Sequence, residues 1–446
     1  MKQDTKNQMT LMETKQAVQA YTTKQVAFRF RGVEMCLSLS HGLFSSADVD
    51  SGTRLLLKVL SKYWDEGFPF PQSVLDAGCG VGVIGIAIAL AAQREGKGPI
   101  QLRSQDRDEL ARAFTTINAL ENGIDTDTLS AYAESLLASP ADQDWDLIVS
   151  NLPAKAGTEV LRDFFIRSTQ MLREQGRAAV VIVNTLADAS RQWIQEAKAT
   201  FLYEEVGSEH TVFIYAGEPG TGQQARPASA KQGPSWQLCP AYFRTSGLYE
   251  MEGTGYRIDA AQGLADFDQA SRAVQLAAKL YTKIQKPSKD AIRVLVHEAD
   301  QGHFPAWLVS QQDGEGSIAS ILLCARNVLA LEAARHNTQE AAGSLLRPTS
   351  CHIAACVDLG FAKERLLDTW PSFDLIVSFP QAVPRVDRLQ ASWEGISKLL
   401  ARGGLFLMAA SSTEAARFDK EKNRPFMRVA DLRRDGFRAI AYRAQH

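Results

Sequence analysis

A chain that writes one ordered set of segments twice must fold as two related domains, and this sequence does so. Trp145-Asp146-Leu147-Ile148-Val149-Ser150 returns as Phe373-Asp374-Leu375-Ile376-Val377-Ser378. Gln170-Met171-Leu172-Arg173-Glu174-Gln175-Gly176 returns as Lys398-Leu399-Leu400-Ala401-Arg402-Gly403-Gly404. Asp48-Val49-Asp50-Ser51-Gly52-Thr53-Arg54 is echoed by Asp266-Phe267-Asp268-Gln269-Ala270-Ser271-Arg272, residues 106–118 by 320–337, and 73–89 by 291–309. Five matches in one order mark an internal duplication. The stretch 217–235 between the copies is mostly Gly, Pro, Ser, Gln and Ala, a composition that cannot bury a core and predicts a flexible linker. The expected organisation is a disordered tail over 1–19, a domain over 20–216, the linker over 217–235, and a second domain over 236–446.

Within the first copy, strand-like runs alternate with helical ones. IQLRSQD (100–106), TLSAYA (128–133), WDLIVSN (145–151) and RAAVVIVN (177–184) predict strands, and 107–122, 159–174 and 187–200 predict helices. The end of the copy, 202–215, predicts an antiparallel hairpin that closes the sheet. Such alternation predicts an α/β fold: two tandem Rossmann-like domains, each a mostly parallel sheet with helices on both faces.

The segment Val74-Leu75-Asp76-Ala77-Gly78-Cys79-Gly80-Val81-Gly82 is a short apolar strand ending in an acid, followed by alternate glycines and the apolar start of a helix. Glycine lets the chain turn sharply and lets a ligand touch the backbone, and the helix N-terminus presents unpaired N–H groups to an anion. The pattern D-x-G-x-G-x-G resembles motif I of class I S-adenosylmethionine-dependent methyltransferases. The second copy places Val296, Glu298, Asp300 and Pro305 where Asp76, Gly78, Gly80 and Gly85 stand, so its turn carries like charges and a stiffened helix start. That copy is expected to keep the fold and to bind no S-adenosylmethionine.

A formal net charge of −2 supplies no global basic field, so nucleic-acid binding would have to come from a local patch. The six cysteines show no C-x-x-C spacing, which argues against a zinc ribbon or a disulfide framework and predicts no metal site and a reducing, cytoplasmic setting. The longest apolar run, 81–92, is too short to span a bilayer, so no membrane association is expected.

The resemblance narrows further at Gly42-Leu43-Phe44-Ser45 and Asp50-Ser51-Gly52-Thr53-Arg54-Leu55-Leu56-Leu57, which look like the G-V-F-S…D-x-G-T-x-L-L-L element of the "methyltransferase small" domain. That domain is typical of ribosomal RNA guanine-N2 methyltransferases, which also pair an active copy with a degenerate one, usually in the opposite order. The resemblance implies S-adenosylmethionine as cofactor. Gly78, Gly80 and Gly82 then line the turn beneath its methionine part, and Asp76 receives its ammonium. Asp106, ending the second strand, binds the ribose hydroxyls, Arg107 flanks the adenine, Ala133 and Glu134 meet the adenine edge, and Phe44 and Thr53 form a lid.

Asn151-Leu152-Pro153-Ala154 resembles the N-P-P-Y/F tetrad of amino methyltransferases, which places the catalytic residues at Asn151, Leu152 and Pro153, with Asn151 also beside the cofactor. In the tetrad the Asn side-chain oxygen and the second residue's carbonyl accept both protons of the acceptor amine, turning its lone pair toward the methyl group. Ala154 departs from the pattern, since it cannot stack on a base, and Lys155 offers a contact to phosphate or carboxylate. The expected partner is RNA or a ribosomal subunit, with the two copies packed as a pseudo-dimer in a monomer. Methylation of a protein amide or a small molecule, or a non-catalytic S-adenosylmethionine-binding module, are the competing readings.

Overall fold

The computed structural model describes residues 9–44, 47–137, 145–217, 239–287, 291–311, 317–343, 349–422 and 425–445. The chain divides into two compact units, 21–233 on one side and 1–20 together with 234–446 on the other. The first element, α1 (Leu11–Tyr21), therefore belongs to the unit made by the second copy. This corrects the expected disorder of 1–19 for the residues from 11 onward. Thr10 and Glu13 cap the helix reciprocally, the Glu13 carboxylate accepting from the Thr10 N–H at 2.7 Å and the Thr10 hydroxyl accepting from the Glu13 N–H at 3.2 Å. Glu13 also lies 3.8 Å from Arg365, and Ala17 is fully buried. The expected linker over 217–235 falls, apart from Gly217, outside the described residues.

The first unit opens with a hairpin, β1 (Lys24–Phe30) and β2 (Val33–Leu39), followed by α2 (Ser51–Asp65). Then come β3 (Ser73–Ala77), α3 (Val83–Arg94), β4 (Gln101–Asp106), α4 (Glu109–Glu121), β5 (Leu129–Ala133) and β6 (Trp145–Asn151). The unit closes with α5 (Thr158–Gln170), β7 (Leu172–Val183), α6 (Ala187–Glu196), β8 (Thr200–Val206) and β9 (His210–Ala216). Seven strands form one sheet in the order β5-β4-β3-β6-β7-β9-β8, parallel except for β9, which runs antiparallel to both β7 and β8.

The central strand β3 is buried along its whole length, Asp76 included, as is the Val83–Ala92 part of α3, whose unbroken apolar sequence matches that burial. By contrast α2 is amphipathic and buries Leu56, Leu57, Val59, Leu60, Tyr63 and Trp64. All three expected helices are shorter than their sequence patterns, α4 because Asp108, not Arg107, caps its start. Helix α5 stops at Gln170 because Leu172 already pairs with Trp145, and the Trp145 N–H donates to the Met171 carbonyl at 2.8 Å. Helix α6 stops at Glu196, and Lys198 just beyond takes a left-handed φ of 54°.

The second unit repeats this plan. It contains the hairpin β10 (Phe243–Met251) and β11 (Thr254–Ala261), then α7 (Arg272–Lys283), β12 (Ala291–His297), α8 (His303–Ser310), β13 (Ser317–Ala325), α9 (Val328–Ala342) and β14 (Ser350–Ala355). It continues with α10 (Leu359–Thr369), β15 (Phe373–Ser378), α11 (Leu389–Leu399), β16 (Leu400–Ser411), α12 (Ser412–Lys420), β17 (Phe426–Arg434) and β18 (Phe437–Ala444). Its sheet order, β14-β13-β12-β15-β16-β18-β17, is that of the first unit strand for strand. Both units are thus Rossmann-like, and the duplication read from the sequence is a duplication of fold. Among the described residues, no helix is long and apolar enough to cross a membrane.

Candidate active site at the switch point of the first sheet

In an open α/β sheet a ligand crevice forms outside the carboxyl ends of the strands where the strand order reverses. In the first unit that point lies between β3 and β6. The β3–β6 pairing runs to Asp76↔Val149, and the Gly78 turn and Asn151 follow at the carboxyl ends of these two adjacent parallel strands. The glycine turn and the first tetrad residue, 73 positions apart in sequence, are therefore neighbours across one strand pair. Ser150 fastens them, its hydroxyl donating to the Ala77 carbonyl at 2.6 Å.

The turn is held by the sheet and by α4. The N–H groups of Gly78 and Cys79 donate to the Gln105 carbonyl at 2.8 and 3.0 Å. Gly78, Gly80 and Gly82 all have positive φ, at 78°, 57° and 90°. A Cβ on Gly80 would meet nothing within 4 Å, and one on Gly78 would make only ordinary contacts with Leu136 and Ser150. Asn118 on α4 ties the turn to the hairpin. Its side-chain amide donates to the Val81 carbonyl at 2.9 Å and the Ser38 carbonyl at 3.2 Å, and its oxygen accepts from the Ser38 N–H at 2.9 Å.

Asp76 is fully buried. Its Oδ2 accepts from the Gly85 N–H at 3.0 Å, in the first turn of α3, while Oδ1 is buried without a partner. Burial pushes its carboxyl up to about 7; the Gly85 hydrogen bond opposes that rise and the nearby Asp106 charge adds to it. Asp106 closes β4 and is half-buried, with Oδ2 accepting from the Gly80 N–H at 3.1 Å and Oδ1 from the Asp108 N–H at 3.0 Å. Burial, then the Asp108 charge, push it up to about 6, against the pull of those two hydrogen bonds and of Arg107. These observations fit S-adenosylmethionine: an orphaned buried acceptor for an ammonium, a turn open where a Cβ would stand, and a carboxylate at the end of the second strand.

The other expected cofactor residues have mixed settings. Glu134 follows β5 and forms a two-oxygen salt bridge with Arg103, at 2.9 and 2.8 Å, while the Arg103 guanidinium stacks 3.7 Å over the Tyr132 ring. Its backbone N–H donates to the Asp106 carbonyl at 2.7 Å, so its main chain, more than its carboxylate, faces the second-strand end. Arg107 is half-buried beside Asp106, and Phe44 is 70% exposed on the loop before α2.

Asn151 ends β6. Its side-chain amide donates to Asp50 Oδ2 at 2.8 Å and to Thr53 Oγ1 at 3.1 Å. Asp50 caps α2, the same Oδ2 accepting from the Thr53 N–H at 3.1 Å. The Leu152 N–H extends the β6–β7 ladder to the Val181 carbonyl at 3.0 Å, and no donor among the described residues reaches the Leu152 carbonyl. The Pro153 carbonyl accepts from the Ala156 N–H at 2.9 Å, in the short helical turn formed by Ala154, Lys155 and Ala156. Ala154 and Lys155 are both exposed. Sequence reasoning did not assign a role to Asp50, Asn118 or Ser150; the echo of Asn118 by Asn337 in the duplicated segment was the available signal for the second.

The second unit shows what the same place becomes without these groups. Ala325 stands at the Asp106 position and Phe379 at the Asn151 position. Glu298 and Asp300 keep the left-handed φ of Gly78 and Gly80, at 58° and 47°. The Glu298 carboxylate turns back to accept from the Arg326 N–H at 3.0 Å.

Residues 34–206 match the family model of the methyltransferase small domain. Over 157 residues the chain is 29% identical to YbxB, an uncharacterized protein of Bacillus subtilis, covering 35% of this chain and 72% of that protein. Over 170 residues it is 28% identical to ribosomal RNA small subunit methyltransferase C of Actinobacillus pleuropneumoniae, covering 37% of this chain and 48% of that one. The chain thus aligns with about half the length of that curated methyltransferase. A solved 16S rRNA N2 guanine methyltransferase of T. thermophilus, in complex with AdoMet and guanosine, matches with a TM-score of 0.59 at 17% identity, over 96% of this chain and 100% of that chain. At that identity the likeness is one of fold.

Proposed function

We propose that this chain, whose first half belongs to the methyltransferase small domain family and is an S-adenosylmethionine-dependent methyltransferase domain, methylates the exocyclic amine of a guanine in ribosomal RNA. The observation that carries the reading is the Asn151 carboxamide, placed across one strand pair from the glycine turn with both amide hydrogens already engaged. Its oxygen is left to accept from a substrate.

The cofactor supplies an electrophilic methyl group on a sulfonium. Everything else is positioning by this chain. Asp76, whose Oδ1 has no partner, would receive the cofactor ammonium, the open turn at Gly78 and Gly80 would admit its methionine part, and Asp106 would accept from its ribose hydroxyls. The amine of guanine is a weak nucleophile because its lone pair is conjugated with the ring. Asn151 Oδ1 and the Leu152 carbonyl accept its two N–H bonds, which turns the lone pair out of conjugation toward the methyl group. Ala154 gives no stacking surface, so the stacking contact that an aromatic at this position makes with a base, worth about 1–3 kcal/mol, is missing from the tetrad.

The test is Asn151→Ala in the full chain. Methyl transfer to in vitro transcribed 16S rRNA should fall at least a hundredfold, read as N2-methylguanosine by nucleoside mass spectrometry. Cofactor affinity should stay within about threefold, under 1 kcal/mol. Full activity in the variant would remove Asn151 from the site, and product on another acceptor would move the substrate assignment elsewhere.

A further inference from the structure

We infer that Asp50 is a positioning residue for methyl transfer: through Asn151 it sets which face of the carboxamide meets the acceptor amine. The inference rests on the proposed role of Asn151. A carboxamide has two nearly isosteric ends, one an acceptor and one a double donor. Turned one way Asn151 accepts from the amine; turned the other it presents two N–H donors to an amine that also donates, and the lone pair is no longer steered. Something must break the tie.

The structure supplies it from 101 positions away in sequence. Asp50 Oδ2 accepts from Asn151 Nδ2 at 2.8 Å, and Thr53 Oγ1 accepts from the same nitrogen at 3.1 Å. A flipped Asn151 would face its oxygen toward the Asp50 carboxylate, two acceptors with no proton between them, which costs at least the lost charge-assisted bond. Asp50 is itself fixed, because the same Oδ2 caps α2 through the Thr53 N–H at 3.1 Å. Thr53 is buried and sits in the first turn of that helix. The helix start thus serves as a rigid frame, and the tetrad asparagine is oriented by it before any substrate arrives. Thr53, expected from the sequence as part of a cofactor lid, contacts Asn151 directly.

The geometry separates capping from positioning. In Asp50→Ser the shorter hydroxyl still caps α2, a role serine fills as well as aspartate, but it falls short of Asn151. In Asp50→Asn one oxygen can still accept from both donors. Asp50→Ser should therefore lower kcat by roughly tenfold to a hundredfold, the scale of a misplaced reacting group, with cofactor affinity and apo melting temperature held. Asp50→Asn should recover most of that loss.

A second measurement does not depend on the acceptor. With selective 15N-asparagine labelling of the full chain, the Asn151 side-chain NH2 pair, assigned by its loss in Asn151→Ala, should exchange slowly in the wild type and in Asp50→Asn. In Asp50→Ser it should exchange at least tenfold faster. Fast exchange in the wild type, or no change in Asp50→Ser, overturns the inference. So does unchanged kcat in Asp50→Ser while Asn151→Ala is inactive. Full activity of Asn151→Ala would instead overturn the reading of the site.

Discussion

Replacing Asp76 by asparagine should stabilise the apo protein while weakening its hold on the cofactor, and the structure sets the size of both effects. The carboxyl is fully buried with one oxygen unpartnered, and burial holds it near 7 where an exposed aspartate ionises near 3.8. Between those values the folded chain keeps a proton that the unfolded chain has released. Stability therefore falls as pH rises, by about 1.4 kcal/mol per pH unit, and levels off above pH 7. The accumulated cost is roughly 4 kcal/mol at pH 8 and about 1.5 kcal/mol at pH 5. Asparagine removes this cost and keeps an acceptor for the Gly85 N–H, but leaves a buried N–H unpaired, at about 1–3 kcal/mol. Asp76→Asn should thus be more stable than wild type at pH 8 by about 1–3 kcal/mol, with the advantage gone or reversed at pH 5. Urea titrations at both pH values, followed by pulsed hydrogen exchange of peptides from 73–94, read this unit directly. Calorimetry at pH 8 should show S-adenosylmethionine bound at least tenfold more weakly, since an amide cannot supply the charge that meets the ammonium. A variant no more stable than wild type at pH 8, or an advantage independent of pH, would show that Asp76 is not a buried charge awaiting a partner.

The full chain should bind one S-adenosylmethionine, and importing the second-unit residues as Gly78→Glu with Gly80→Asp should abolish binding altogether; a surviving site in calorimetry would place cofactor binding in the second unit. Asn118→Ala and Asn337→Ala remove matching buried side chains, each bonded to two carbonyls and one N–H, so each should cost its own unit about 2–4 kcal/mol in chemical denaturation. Asn118→Ala alone should also weaken the cofactor severalfold, because it frees the Val81 end of the turn; equal effects of the two variants on cofactor binding would contradict this division of labour.

How much of this was legible in sequence depended on the range of the interactions. The glycine turn declares itself because the backbone and an incoming ligand need residues without a side chain over a few consecutive positions. The strands β4, β5 and β6 were readable from local apolar patterning. The β1–β2 hairpin was not anticipated although its exposed positions alternate with buried ones, a local strand signal; what no local pattern shows is its anchoring by Asn118 and Asn122, about 80 positions on. The start of β7 at Leu172 was hidden because 170–174 is locally a good helix end, and only pairing with Trp145 makes it strand. The Asp50–Asn151 bridge spans 101 positions and leaves no trace in either segment alone. Helix α1 could have been found, because Thr10 and Glu13 are a capping-box pair ahead of a helical run.

The two copies together sort the glycines of the turn into those the fold requires and those the ligand requires. At Gly82 a Cβ would sit 3.0 Å from Thr115 Cγ2 and 3.2 Å from its Cα, and at the matching Gly302 it would sit 2.7 Å from Ala334 Cα. Here helix packs on helix at the start of α3 and α8, and the second copy has kept its glycine. Gly78 and Gly80 have no such neighbours, and there the second copy carries Glu298 and Asp300 in the same left-handed backbone. Non-glycine residues in that region cost roughly 1–2 kcal/mol each, yet the turn has not relaxed. The sheet and the asparagine clamp hold it: the Glu298 N–H donates to the Cys324 carbonyl at 2.8 Å as Gly78 does to Gln105, and Asn337 grips the Gln301 carbonyl at 2.8 Å as Asn118 grips Val81. The turn's shape is therefore a property of the fold. What Gly78 and Gly80 add is empty space above that shape, and the copy that filled the space with carboxylates has also lost the counterparts of Asp76, Asp106 and Asn151. Loss of all five together, with the structural glycine and its clamp retained, is the pattern expected when the constraint on a site is lifted while the constraint on folding remains.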